Sequence, residues 1–213
     1  MTDVAVKPFE PGTTGWSIDD LDDPEIEARW CEGRYEISDG VLTKMPPAMF
    51  DGGMALQRLL WILRSHTVAS GLGDGFATEV DLILGDLRLP ITDAIFLTPE
   101  DRDKQKQTKQ ARPRGQGRAG RRARYGRILV PPTLVIESIS EGHERRDRET
   151  KRRWYAEARI PNYWLLDAQQ RSLECLVLEG QDYRSDQSGR DNDELRPALF
   201  PGLIVSLGQL WAD

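Results

Sequence analysis

One acidic residue constrains this chain more than any other feature. Residues 133–139 read TLVIESI, rich in β-branched and apolar side chains, as a strand buried on both faces is. Glu137 stands inside that run. A carboxylate there is costly to bury unless a metal ion or a cation pairs with it. Any fold for this chain has to bring Glu137 such a partner.

The following segment offers one. From about residue 144 to residue 158 the spacing is helical, and Asp147, Lys151, Trp154, Tyr155 and Ala158 share one face through i+3 and i+4 steps. Trp154, Tyr155 and Ala158 mark that face as the one that packs on a sheet. Lys151 therefore lies on or at the edge of the inward face. The alternative is an exposed Asp147–Lys151 pair worth about 0.2–0.5 kcal/mol. Pro161 ends the helix, and residues 163–166 start a second buried strand. Strand, helix and strand suggest a βαβ crossover, although an antiparallel neighbour fits the sequence equally.

The rest of the chemistry is narrowed by what is scarce. The two histidines, His66 and His143, cannot build a histidine-rich metal site. Cys31 and Cys175 are far apart without CxxC spacing, which points to a reducing compartment rather than a disulfide framework or a zinc site. No secretory h-region and no membrane-spanning run is present, so a cytoplasmic protein with no membrane partner is expected. There is no GxxxxGK[ST], GxGxxG or GxSxG motif. A catalytic centre must rest on carboxylates, lysine or hydroxyls.

At 213 residues the chain suits one domain with a sizeable core. Residues 1–33 read as an N-terminal arm: 1–14 mobile, then a short helix from Pro24. Residues 34–45 read as a β-hairpin turning at Asp39-Gly40. Leu56, Leu59, Leu60 and Leu63 mark an amphipathic helix. Residues 76–84 and 87–97 read as strands, the second carrying Asp93, either a site carboxylate or a strand-end aspartate facing water. Residues 99–127 read as a flexible insertion. Within it, residues 101–127 hold eleven Lys/Arg and two Asp/Glu, against a net charge of −6 for the whole chain. That basic stretch is either a solvated insertion or an arm that contacts phosphates. Residues 171–178 read as a strand, 182–194 as a polar loop or hairpin end, and 199–211 as a short strand and a turn of helix.

Asp93, Glu137 and Lys151 around one cleft would make a divalent-metal site with a cation beside it. Mg²⁺ prefers oxygen ligands and keeps several waters. It lowers the pKa of a bound water and holds a phosphate oxygen, while a lysine offsets developing charge.

The segments RYEISDGVLTKMPP, TDAIFL, LVIESIS, RRDRETKRRWYAEARIPNYWLLD and LFPGLIVSLGQLW together resemble the Uma2 family of the PD-(D/E)xK nuclease superfamily. The most specific part is Ser140, Asp147, Lys151 and Tyr155, followed by Tyr163, Trp164 and Asp167. The resemblance implies an α/β fold, a restriction-endonuclease-like mixed sheet flanked by helices, with an N-terminal β-hairpin, over residues 34–213. It implies Asp93 and Glu137 as metal ligands and Lys151 as the catalytic lysine. The Ser138 carbonyl is a further candidate ligand. A Mg²⁺-dependent endonuclease acting on DNA is expected, with Mn²⁺ able to replace Mg²⁺ and phosphate contacts from the basic stretch. A homodimer suits double-strand cutting. The alternative is an inactive protein of the same fold that binds nucleic acid or protein. Three departures from the family pattern bear on that choice. Thr92, not proline, precedes Asp93; Ile139 stands where the superfamily has its lysine; and Asp51, Gly52 and Gly53 stand where relatives often have a histidine. Glu79 is a candidate extra carboxylate.

Overall fold

The computed structural model describes residues 7–46, 50–111 and 126–211. Contacts divide the chain into two compact units: Met1–Pro47 with Asp81–Ile91 and Lys109–Leu129, and Ala48–Val80 with Thr92–Thr108 and Val130–Asp213.

The first unit is built on helix α1 (Pro24–Cys31) and the hairpin of β1 (Tyr35–Ser38) and β2 (Val41–Lys44). The Asp23 side chain accepts the Glu25 N–H at 2.8 Å, and Pro24 occupies the first turn, so the start of α1 is both capped and pre-set in φ. Asp39 and Gly40 both have positive φ, 49° and 79°, as the tight hairpin turn expected there requires. The core gathers Phe9, Trp16, Leu21, Trp30, Ile37, Leu42 and Leu89. Phe9 belongs to the stretch expected to be a mobile arm. Its ring stands edge-on to Trp16 and Tyr35, which ties the chain down from Lys7 onward. Residues 1–6 lie outside the described residues. Arg127, the last basic residue of the 101–127 stretch, is buried between Glu27 at 3.0 Å and Asp81 at 3.1 Å. Burial raises the Asp81 pKa, and Arg127 offsets that rise. This arginine thus holds the first unit together rather than reaching for a phosphate.

The second unit contains a six-stranded mixed sheet in the order β3-β4-β5-β6-β7-β8. Its strands are β3 (Phe76–Asp81), β4 (Ile91–Phe96), β5 (Leu134–Ser138), β6 (Asn162–Asp167), β7 (Ser172–Glu179) and β8 (Asp182–Arg190). β5 and β6 run parallel, and the β4–β5, β6–β7 and β7–β8 pairs are antiparallel. The link between β5 and β6 is therefore the βαβ crossover. β8 corrects the expectation of a loop over residues 182–194. Its sequence, DYRSDQSGR, is polar because most of the strand is exposed at the sheet edge. β9 (Glu194–Leu195) and β10 (Val205–Ser206) form a separate short ladder.

Side chains alternate across β5. Leu134 and Ile136, with Ala94, Phe96, Trp164 and Leu166, pack on Leu56, Leu59, Leu60 and Leu63 of helix α2 (Phe50–Ala69). Val135 and Glu137 point to the opposite face. There the chain passes through a π-helical segment (Arg146–Lys151) into helix α4 (Arg152–Glu157), which buries Trp154 and Tyr155. Glu137 thus faces the helix that follows it.

Helix α3 (Pro99–Ala111) overturns the expectation of a flexible insertion for its part of residues 99–127. Thr98 and Asp101 cap its start reciprocally, each backbone N–H donating to the other's side chain at 3.2 Å. Lys104 pairs with Glu100 at 2.9 Å and Lys106 with Asp103 at 3.0 Å, so the basic residues of α3 are largely offset by its own acids. Six of the arginines that make the stretch basic fall in residues 112–125, outside the described residues. Among the described residues no helix is long and apolar enough to cross a membrane.

Candidate active site

Asp93, Glu137 and Lys151 meet on one face of the sheet of the second unit. β4 and β5 pair Ala94 with Ile136 and Ile95 with Val135, and one step further this register sets Asp93 opposite Glu137. Asp93 uses one oxygen to fix the strand end: its Oδ2 accepts the Ser138 N–H at 2.8 Å. Lys151 Nζ lies 3.0 Å from Glu137 Oε2 and 3.7 Å from Asp147 Oδ1. Glu137, Asp147 and Lys151 are all buried, so the Asp147–Lys151 pair is not the exposed helix pair that the sequence left open. Asp93 is half-buried.

The π-helical segment helps explain how both Asp147 and Lys151 turn inward. The Arg152 N–H bonds the Asp147 carbonyl five residues back, and the Tyr163 hydroxyl donates to that same carbonyl at 3.0 Å. The wider turn is thus held from inside the sheet. Such π segments are rare and are often found at functional sites.

Tyr155 completes the pocket. Its hydroxyl donates to Glu137 Oε1 at 2.5 Å, so each Glu137 oxygen has a donor. Helical spacing places Tyr155 on the packing face of α4 but is silent about its hydroxyl. The i+4 step from Lys151 to Tyr155 is the only sign of it in the sequence. Tyr163, in β6, packs on the Tyr155 ring with centroids 5.1 Å apart. On the opposite face, a Cβ at Gly52 would come within 2.7 Å of Ser138 Oγ, so a larger residue there would make the Ser138 hydroxyl turn aside. Glu79, in contrast, is exposed and carries φ 51°.

The electrostatics are unbalanced. Burial pushes the Glu137 pKa well above the usual carboxylate range. The Lys151 ammonium pulls it down, the Asp93 and Asp147 carboxylates push it up again, and the Tyr155 hydrogen bond lowers it. Burial also raises the Tyr163 pKa, with Glu137 and Asp147 adding to the rise. One ammonium thus faces three carboxylates.

Tyr155→Phe removes a donor to a buried carboxylate. It is expected to cost about 1.5–3 kcal/mol of stability. The loss should be larger at pH 8 than at pH 5, because the Tyr155 bond favours the ionised form of Glu137. Urea melts at the two pH values measure it.

The chain matches the sequence model of the Uma2 family, described as "Putative restriction endonuclease", over residues 24–208. The chain belongs to the Uma2 family. Its fold is similar to that of "a putative nuclease belonging to DUF820" from Anabaena variabilis. The TM-score is 0.63 at 14% sequence identity, over 92% of this chain and 97% of that one. No functionally curated protein matches.

The divalent metal expected from the sequence would have to be held by these donors. Among the described residues no group of three or more His, Cys, Asp or Glu side chains is arranged to hold a metal ion. Two carboxylates, Asp93 and Glu137, are what the adjacent strands offer. An all-oxygen set this small fits Mg²⁺ or Mn²⁺, hard cations bound through one or two carboxylates with water filling the rest. It does not suit a cation that needs a full protein cage.

Proposed function

We propose that this Uma2 protein is a metal-dependent endonuclease that hydrolyses DNA phosphodiester bonds at the Glu137 pocket. The observation that carries the proposal is Glu137 itself: a buried carboxylate on a central strand, held by Lys151 and Tyr155 and beside Asp93. Asp93, Glu137 and the Ser138 carbonyl would hold Mg²⁺ or Mn²⁺. When bound, such an ion supplies positive charge that acidifies a coordinated water and neutralises a phosphate oxygen.

The chain's own residues do the rest. Asp93 and Glu137 present their oxygens from adjacent strands, so the sheet fixes their spacing. Tyr155 holds Glu137 in one orientation through Oε1. Lys151, released from Glu137 Oε2, orients the attacking water and offsets the charge that develops on the phosphate oxygens. Asp147 keeps a carboxylate 3.7 Å from the ammonium, which helps to position Lys151. DNA is favoured as substrate by the family's description. The arginine-rich residues 112–125 would contact phosphates, and binding should weaken as salt rises.

The experiment is plasmid nicking with Mg²⁺ or Mn²⁺, comparing the native chain with Asp93→Asn, Glu137→Gln and Lys151→Met. Metal-dependent nicking that falls by at least about 10²-fold in each variant supports the assignment. Nicking that survives in all three removes this pocket from the chemistry.

A second reading has its own observation. Both Glu137 oxygens already have protein partners, and Ile139 replaces the superfamily's strand lysine. Such a closed network suits a protein that keeps the fold and binds nucleic acid without cutting it. DNA binding that is unaffected by chelators, with no nicking under any metal, would favour that reading.

A further inference from the structure

The turn that carries Asp147 holds one residue more than a plain helix needs. Asp147 precedes Tyr155 by eight residues, and both side chains are buried around Glu137. In an unbroken α-helix eight residues turn through about 800°, which would set Asp147 about 80° off the line of Tyr155. A π turn closes its hydrogen bond over five residues instead of four, so it takes up about one residue, or about 100° of rotation. Asp147 thereby returns to within about 20° of Tyr155. Seven residues of plain α-helix would reach the same place. One residue between Asp147 and Lys151 is therefore surplus, and the wide turn carries it on the outside. Glu149 is exposed there and pairs with Arg145, itself exposed, at 2.9 Å.

π turns are rare, so something must hold this one. The Asp147 carbonyl, already bonded by the Arg152 N–H, accepts a second bond from the buried Tyr163 hydroxyl at 3.0 Å. The Tyr163 ring is set between Tyr155, with centroids 5.1 Å apart, and Tyr183, at 5.6 Å. Tyr183 is fixed in turn, because its hydroxyl donates to the Ile160 carbonyl at 2.7 Å. A ring packed in this way cannot follow the carbonyl if the turn tightens. Arg148 also ties the turn to the sheet, through Glu174 at 2.5 Å, but both side chains are partly exposed and such a pair contributes little.

We propose that Tyr163 is a positioning residue: its hydroxyl pins the π turn open, and the pinned turn keeps Asp147 directed at Lys151. Without the pin the turn closes to α geometry, and the residues before it rotate by about 100°. Asp147 then leaves the ammonium that it holds from 3.7 Å. The effect on nicking rests on the nuclease reading, whereas the orientation of Asp147 does not.

The test therefore has two readouts. Asp147→Cys, in the full chain with the exposed Cys31 changed to serine, reports orientation through its reactivity toward a soluble aromatic disulfide, since Cys175 is buried. The new thiol should be shielded. Tyr163→Phe should speed its labelling about five- to tenfold, the change in an equilibrium constant that one ordinary hydrogen bond brings. Deleting Glu149 removes the surplus residue, so the deletion combined with Tyr163→Phe should label slowly again. A hydroxyl that only stabilised the core would give no such rescue, because the deletion restores none of its contacts. With Asp147 intact, Tyr163→Phe should lower the nicking rate at saturating DNA and leave the half-saturating DNA concentration unchanged. The deletion should restore that rate.

Labelling that Tyr163→Phe does not change, or that stays fast after the deletion, would overturn the proposal. So would nicking that Tyr163→Phe leaves at the native rate. If circular dichroism shows Tyr163→Phe unfolded, the combined variant decides: folded and shielded supports the pin, unfolded refutes it. The expected labelling pattern in a chain that never nicks would keep the pin and sink the nuclease reading.

Discussion

Glu137→Gln is expected to make the protein more stable at pH 8 and to abolish the proposed nicking. The side chain keeps its shape, and its amide oxygen can still accept from Tyr155. What changes is the charge. Folding raises the Glu137 pKa above its ordinary value of 4.5, chiefly through burial, despite Lys151 beside it. The folded state therefore retains a proton that the unfolded chain gives up. Stability from this group is complete below about pH 4.5 and is lost as pH rises through the folded-state value. Glutamine does not titrate, so it avoids that loss. Lys151 is not orphaned, because Asp147 remains 3.7 Å away. A rise in Tm at pH 8 is expected, instead of the loss of about 3–5 kcal/mol that breaking a buried pair from one side brings, because Asp147 still pairs with Lys151. The gain should vanish below about pH 4.5. Nicking should fall by at least about 10²-fold. A variant that is both less stable and inactive at pH 8 would show that the carboxylate supports the fold instead of burdening it.

Lys151→Met has the opposite sign. Methionine fills the space of the lysine stem but removes the only ammonium that an ion pair brings to Glu137 among the described residues. Glu137 is then left ionised at pH 8 among Asp93 and Asp147, or must take up a proton. Breaking a buried pair from one side costs about 3–5 kcal/mol. Here the cost should shrink as pH falls toward 5, where a carboxyl with a raised pKa protonates readily. Chemical denaturation at pH 5 and pH 8 measures the difference. Glu137→Gln combined with Lys151→Met should recover most of the lost stability and none of the activity, because the pair is then replaced from both sides. A single variant equally stable at both pH values would mean that Lys151 does not compensate Glu137.

The central unit was legible in the sequence because its signals agree. A strand with one misplaced carboxylate, a helix with one misplaced lysine and a second strand leave few arrangements that satisfy both charges. Pairing β4 with β5 then brings Asp93 to the same face, which strand parity alone could not do. Two misses have different causes. Helix α3 was hidden by composition, since KQKQTKQ looks disordered. Yet Thr98-Pro99-Glu100-Asp101 is a helix start, with a capping threonine, proline in the first turn and acids after it. Strand β8 was hidden because its pairing with β7, not its side chains, makes it a strand. In the pocket, apolar periodicity treats Tyr155 as bulk and cannot see where its hydroxyl points. The π-helical segment is invisible for a similar reason: it depends on Tyr163, from the next strand, holding the Asp147 carbonyl.

Calorimetric titration of Mn²⁺ into the native chain at neutral pH, repeated with Asp93→Asn and Glu137→Gln, tests the pocket most directly. One saturable site per chain, lost in both variants, is the predicted result. A native chain that takes up no metal, or variants that bind it as tightly as the native chain, would contradict the assignment of Asp93 and Glu137.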